Sequence, residues 1–227
     1  MKLFYGINGP ICRVVDTRSE RDEILKEHGG TVRGFFQRSN ADHFAEHGET
    51  AKEMTMRKYA DTLEGRGKVL IVYTDGACST SDRGIFAGAG VWFRDHPEYN
   101  SDVIVGLHDG TPPTNQRAEL IAIREALSIA RDHSHRVVKI YTDSKYCISL
   151  IRNIKWHRLH CFLDDKSMPI TNGDVLKEIS DLIVKDEIIP VLEHVYGHSG
   201  VRGNEAADAL AVKARMRAEE QHMDLTN

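Results

Sequence analysis

IVYTDGACS at residues 71–79 and KIYTDSKYC at residues 139–147 carry the same triplet, Tyr-Thr-Asp, at the end of an apolar run. Val69, Leu70, Ile71 and Val72 are continuous, and Val137, Val138 and Ile140 surround a single lysine, the pattern of strands buried on both faces. The reading places Asp75 and Asp143 where each strand gives way to a loop. A lone Asp there is most often a turn former or helix cap.

A third acid sits where a core residue belongs. In TNQRAELIAIREALSIARD (114–132) the apolar stripe runs through Ala122, Ile123, Ala126, Leu127 and Ala130, and four residues before Ile123 stands Glu119. Either Glu119 snorkels to solvent from the second helical turn, or it points inward and needs a compensating partner or metal. GHSGVRGNEAADALAVKA (197–214) supplies a fourth, with Asn204 as a plausible N-cap, a stripe through Ala207, Leu210, Ala211 and Ala214, and Asp208 bordering it. Alone, Asp208 reads as a first-turn acid favoured by the helix dipole. Converging carboxylates repel unless cations neutralise them, and oxygen-only ligands select hard Mg²⁺ or Mn²⁺ over Zn²⁺. A pair of such ions can activate water for phosphodiester cleavage.

From Lys68 onward the pattern predicts a buried strand (69–75), a glycine-containing hairpin (85–108), a helix (115–132), a strand (137–143), a short helix from Ser144, an irregular stretch, a helix (173–186), a strand (191–196) and a last helix from about 204. The fold class is α/β, a mixed five-stranded sheet flanked by helices, over residues 68–217, with a C-terminal tail at 218–227. Ahead of it, KLFYGI (2–7) and ICRVV (11–15) flank Asn8-Gly9-Pro10, a hairpin signal. Thr17 with Glu20 fits a capping box, Gly29-Gly30 stops that helix, TVRGFF (31–36) reads as a strand, and Ser39 or Asn40 caps a helix around Phe44. That is a small β-β-α-β-α module at 1–48, joined by a polar, partly helical linker at 49–67.

Composition narrows the classes. The net charge of −4, with seven basic and seven acidic residues in 1–48, gives no basic nucleic-acid tail. The four cysteines show no CxxC pairing, so neither disulfides nor structural zinc are expected. No apolar run is long enough to cross a membrane, and MKLFYGINGP lacks a signal or transit character. The expectation is an intracellular protein, cytoplasmic or nuclear, with no membrane partner.

YTDGAC (73–78), AGAGVWF (87–93), TNQRAEL (114–120), YTDSKY (141–146) and HVYGHSGVRGNEAADALA (194–211) together resemble the ribonuclease H family, type 1, in family order over roughly 68–215. The resemblance implies adjacent strands that bring Asp75 and Asp143 together. It implies that Asp75, Glu119, Asp143 and Asp208 hold two Mg²⁺ ions, with Mn²⁺ as a substitute, which cleave the RNA strand of an RNA/DNA hybrid to 5′-phosphate and 3′-hydroxyl ends. His198 matches a histidine assisting proton transfer or product release. Asn115 and Gln116 match residues that contact RNA 2′-hydroxyls. Cys78 matches a position whose backbone approaches substrate, and is otherwise a small buried hydrophobe. Thr114 and Asn172 match a pocket for a DNA-strand phosphate, and the catalytic domain is expected to be monomeric.

The chain also departs from the family. Where that pocket carries an arginine, two residues before Thr114, stands Pro112. RNIKWHRLHCFLDDK (152–166) occupies the place of a basic protrusion with fewer lysines and more histidines, and Trp156 is either an aromatic surface for the DNA strand or core. The N-terminal module is similar in length and element order to the family's hybrid-binding domain, but has Arg18 and RGFF where that domain shows a tryptophan and a phenylalanine followed by two lysines. It contacts either hybrid or protein. A non-catalytic hybrid-binding scaffold and a reverse-transcriptase-linked nuclease domain are the alternatives to a free-standing nuclease.

Overall fold

The computed structural model describes residues 3–64, 68–106 and 112–226, which fall into two compact units, Met1–Thr62 and Leu63–Asn227. Residue 2 of the first expected strand, 65–67 of the expected linker, 107–108 of the expected hairpin and residue 227 of the tail lie outside the described residues.

In the first unit β1 (Phe4–Asn8) pairs antiparallel with β2 (Arg13–Val15) and with β3 (Thr31–Phe35), in the order β2-β1-β3. The Asn8-Gly9 turn makes the expected hairpin. Helix α1 (Arg18–His28) starts where Thr17 Oγ1 accepts the Glu20 N–H at 3.3 Å and ends at Gly29 with φ +69°. Tyr5, Ile7 and Val15 form the core, with Ile24, Leu25 and Val32 packed against it. Helix α2 (Arg38–His47) buries Ala41, Phe44 and Ala45. It begins at Gln37, so Ser39 and Asn40 lie inside its first turn rather than capping it.

The polar stretch expected as a linker is mostly α3 (Ala51–Glu64). It lacks an apolar stripe because polar contacts organise it. The Thr50 N–H donates to Glu53 Oε2 at 2.7 Å, Glu53 N–H returns to Thr50 Oγ1 at 3.2 Å, and Glu53 also pairs with Arg33 of β3 at 2.7 Å.

The second unit is built on a five-stranded mixed sheet, as the sequence predicts, and its strand order is β6-β5-β4-β7-β8. Strands β4 (Leu70–Ser81), β5 (Gly84–Phe93) and β6 (Ser101–Val105) are antiparallel neighbours, whereas β4, β7 (Val137–Thr142) and β8 (Ile189–His194) run parallel. β4 is longer than predicted. Its parallel pairing with β7 stops at Tyr73↔Tyr141, but its antiparallel pairing with β5 continues to Ser81↔Gly84, so Asp75 stands inside a strand opposite Gly90. Strand β8 begins and ends two residues earlier than predicted.

Helices α4 (Asn115–Asp132), α5 (Lys145–Arg152), α6 (Ile154–Leu159), α7 (Gly173–Val184) and α8 (Arg202–Thr226) complete the unit. Leu70, Val72, Val138 and Ile140 of the sheet share a core with Ile123 and Leu127 of α4 and Leu176 and Ile179 of α7. Helix α6 occupies part of the stretch expected to be irregular. Helix α8 begins two residues before Asn204, because the Glu205 N–H already bonds Val201 O at 3.0 Å. It absorbs the expected tail, whose residues 218–226 contain no Gly or Pro and whose His222 ring meets Phe86 at 5.5 Å. Among the described residues no helix is long and apolar enough to cross a membrane.

Small residues let α8 lie against β5. A Cβ added at Gly90 would overlap the Ala207 carbonyl oxygen, and one at Gly88 the Ala211 carbonyl. Because Gly90 stands opposite Asp75, α8 covers the face from which Asp75 projects; Gly76, the next residue on β4, faces the other way, where an added Cβ would meet the Glu119 backbone of α4. Gly90→Val is predicted to push α8 off the sheet and lower unfolding free energy in urea by about 3 kcal/mol or more; unchanged stability would contradict this packing.

Candidate active site

The sheet and the two helices set the four acids around the middle of β4. Asp75 is only 7% exposed and its Oδ1 accepts the Gly76 N–H at 2.8 Å. Asp143 is the first residue after β7, half-buried, and a Cβ at Gly197 would overlap its Oδ2, so the loop after β8 closes directly on this carboxylate. Glu119 lies in the second turn of α4, as the stripe predicts, and is half-buried. Its Oε1 accepts from Asn115 Nδ2 at 2.9 Å, and its Oε2 accepts from the Ser144 hydroxyl, with the Cys147 thiol 3.9 Å away. Asp208 is half-buried on α8, one residue past the Ala207 that packs on Gly90.

Electrostatics record how close these groups are. Burial pushes the Asp75 carboxyl up to about 7, with the Asp143 charge the next cause; the Gly76 N–H opposes it, and Asp208 and Glu119 add to it. Burial also raises Glu119, against the Ser144 hydrogen bond, and the Asp143 charge adds to the rise. The other three predicted acids therefore all act on Asp75, and Asp143 acts on Glu119 as well. Among the described residues no three His, Cys, Asp or Glu side chains are gathered tightly enough to grip one ion as they stand. Glu119 is turned to Ser144 and Asn115, and Asp75 to Gly76. An oxygen-only set of mutually repelling carboxylates fits hard divalent cations.

The remaining predicted residues divide into two groups. His198 is exposed, in left-handed backbone at φ +51°, beside the Gly197 that abuts Asp143. Thr114 caps α4, accepting the Arg117 N–H at 3.1 Å, with Asn115 and Gln116 exposed in the first turn. Cys78 contacts the same loop through Pro113 O at 3.8 Å, and burial raises its thiol pKa. Asn172 donates to the Tyr146 hydroxyl at 3.2 Å and accepts from Arg117 at 3.3 Å. Trp156 stands apart on α6, 37% exposed, stacked on His160 at 4.2 Å.

Several site residues escape sequence reading. Ser144 is legible as the N-cap of α5, where its Oγ accepts the Cys147 N–H at 3.3 Å, but its second bond to Glu119 depends on two helices meeting. Gly197 looks like loop glycine until Asp143 is seen against it. Arg117 supplies a guanidinium near Thr114 and Asn172, although it forks Asp174 at 2.6 and 3.0 Å.

The raised Asp75 pKa has a definite sign for stability. The folded protein binds a proton that the unfolded chain releases near 3.8, so the contribution of Asp75 to metal-free stability is fully present below about 4 and is lost as pH rises through about 7. Asp75→Asn is therefore predicted to raise the unfolding temperature in EDTA at pH 8, the gain in free energy being about 2–4 kcal/mol at most, and to change it little at pH 4. Equal shifts at both pH values would contradict the crowding.

The comparisons with known proteins agree with this geometry. The family model described as RNase H matches residues 67–216. The chain is 35% identical over 150 residues to a ribonuclease H of Syntrophomonas wolfei, covering 65% of this chain and 96% of that protein. It is 33% identical over 163 residues to ribonuclease H1 of Mus musculus, covering 70% of this chain and 55% of that protein, so it spans little more than half of the mammalian relative. Among solved structures, a foamy viral protease-reverse transcriptase in complex with dsDNA aligns at TM-score 0.53 and 25% identity, covering 64% of this chain and 93% of that chain. The solution structure of the PFV RNase H domain aligns at TM-score 0.51 and 23% identity, over 65% of this chain and 94% of that one, and so shares the fold. With the family model spanning the sheet, α4, α8 and all four acids, the chain belongs to the RNase H family.

Proposed function

We propose that this protein is an endoribonuclease that hydrolyses the RNA strand of RNA/DNA hybrids, using divalent cations held by Asp75, Glu119, Asp143 and Asp208. The observation that carries the proposal is the convergence of these acids on Asp75, whose pKa burial first, and then the charges of Asp143, Asp208 and Glu119, raise to about 7. Acids placed for stability alone would be paired with cations, as Asp174 is with Arg117. The names of its relatives, ribonuclease H and H1, support the substrate class.

Two Mg²⁺ ions, with Mn²⁺ as a substitute, supply Lewis-acid activation of water and stabilisation of the leaving oxygen when bound, leaving 5′-phosphate and 3′-hydroxyl ends. Ser144 and Asn115 orient the Glu119 carboxylate, which would be one of the ligands to the ions. Asn115 and Gln116, exposed at the start of α4, present amides to the 2′-hydroxyls that separate RNA from DNA. Thr114 and Asn172 offer a hydroxyl and an amide to a DNA-strand phosphate, while the Arg117 guanidinium beside Asn172 is held by Asp174. His198, on exposed backbone beside Gly197, shuttles a proton or speeds product release.

The first unit contacts either the hybrid or a protein, and its arginines are largely engaged by acids of the same unit. Five of its arginines face acids of the same unit: Arg13 meets Glu20, Arg21 Asp22, Arg33 Glu53, Arg38 Asp42 and Arg57 Glu49. Phosphate binding needs cations free to release counterions.

Cleavage of a labelled RNA/DNA hybrid, beside single-stranded RNA, double-stranded RNA and double-stranded DNA, tests the reading. Mg²⁺-dependent loss of RNA from the hybrid alone is expected, and Asp143→Asn should lower kcat about 10³-fold or more, matching several kcal/mol of lost transition-state stabilisation. Tight binding without turnover would make the protein a scaffold, and an active Asp143→Asn protein would remove Asp143 from the site.

A further inference from the structure

The acids are not the whole polar content of this centre. Asn204, in the first turn of α8, is 3% exposed, and its Oδ1 is enclosed without a hydrogen-bond donor. A buried acceptor left unpaired is costly, so its presence calls for a ligand. Helix geometry shows where it points. Lys213 and Arg217, one turn apart, both reach Asp102 of β6, at 3.3 and 2.6 Å, which identifies the flank of α8 that faces β6. Asn204 precedes Lys213 by nine residues, about two and a half turns, so it leaves the helix on the opposite flank. Asp208, four residues later, leaves on the same flank as Asn204, one turn along. Gly203, next to Asn204, packs on the Tyr73 ring, two residues before Asp75 on β4.

Asp208, the carboxylate one turn along that flank, is an acceptor as an anion and cannot satisfy another acceptor. A donor can arrive with something the carboxylates attract. A hard divalent cation keeps several water molecules when it binds, and those waters carry the O–H donors that Oδ1 lacks.

We propose that Asn204 is a positioning residue of the carboxylate centre, its Oδ1 accepting a hydrogen bond from water that accompanies a divalent cation. This rests on the metal-dependent reading above. The test is Asn204→Leu, which keeps the size and removes the polar atoms, measured in the full chain for Mg²⁺ and Ca²⁺ affinity by calorimetry and for unfolding temperature in EDTA. Cation affinity is expected to fall about 10-fold, while the EDTA unfolding temperature holds or rises because an orphaned acceptor is gone. Asn204→Asp, which retains an acceptor, should keep the affinity. Wild-type affinity in Asn204→Leu overturns the proposal, as does a loss of affinity matched by a large drop in EDTA stability, which would mark a purely structural role. A wild-type chain that binds neither cation overturns the metal reading itself, an outcome distinct from both.

Discussion

Repulsion among four carboxylates around the middle of β4 is the constraint to which the rest of the second unit answers. Like charges in a low-dielectric setting are unfavourable, and here burial and the Asp143 charge together raise the Asp75 pKa to about 7. A sheet that tolerates this must be held by something else. Leu70 and Val72 on β4, Val138 and Ile140 on β7, and the helices packed on them form a continuous apolar core immediately beside the acids. Val72 and Ile140 each stand three residues before an acid, so cohesion is concentrated close to where it is opposed.

The change in pairing along β4 explains how the acids come together. Its first half is bonded on both sides, to β7 and β5, and is apolar; beyond Tyr73 the parallel neighbour ends while β5 continues. The side left unpaired is where Asp143 emerges and where the loop carrying Gly197 and His198 closes in. Gly76 and Gly90 then allow α4 and α8 to approach opposite faces of the same strand, delivering Glu119 and Asp208. A side chain at either glycine would displace a helix and with it an acid.

Much of this was legible in residue order. Period-3.6 patterning located α4 and put Glu119 on its inward stripe, and the two apolar runs identified β4 and β7. Hydropathy could not show that β4 continues past Asp75, because Gly76 to Ser81 are small or polar residues whose strand conformation comes from pairing with β5. It showed α3 only as a partly helical linker for a related reason: Thr50, Glu53 and Arg33 organise that helix through hydrogen bonds and charge rather than an apolar stripe. Ser144 and Gly197 were invisible as site residues since their roles arise only where separate elements meet. Pro112 marked a real departure, and Arg117, five residues on, is the guanidinium found beside Asn172.

The central claim is that the acids converge until one of them holds a proton near neutrality, which a divalent cation must displace. The direct measurement is proton release on Mg²⁺ binding, from calorimetry in buffers of different ionisation enthalpy. About one proton per chain should be released near pH 6, falling toward zero by pH 9 as Asp75 ionises unaided. Mg²⁺ binding at pH 6 with no proton released would mean that Asp75 is already ionised, and would contradict the account.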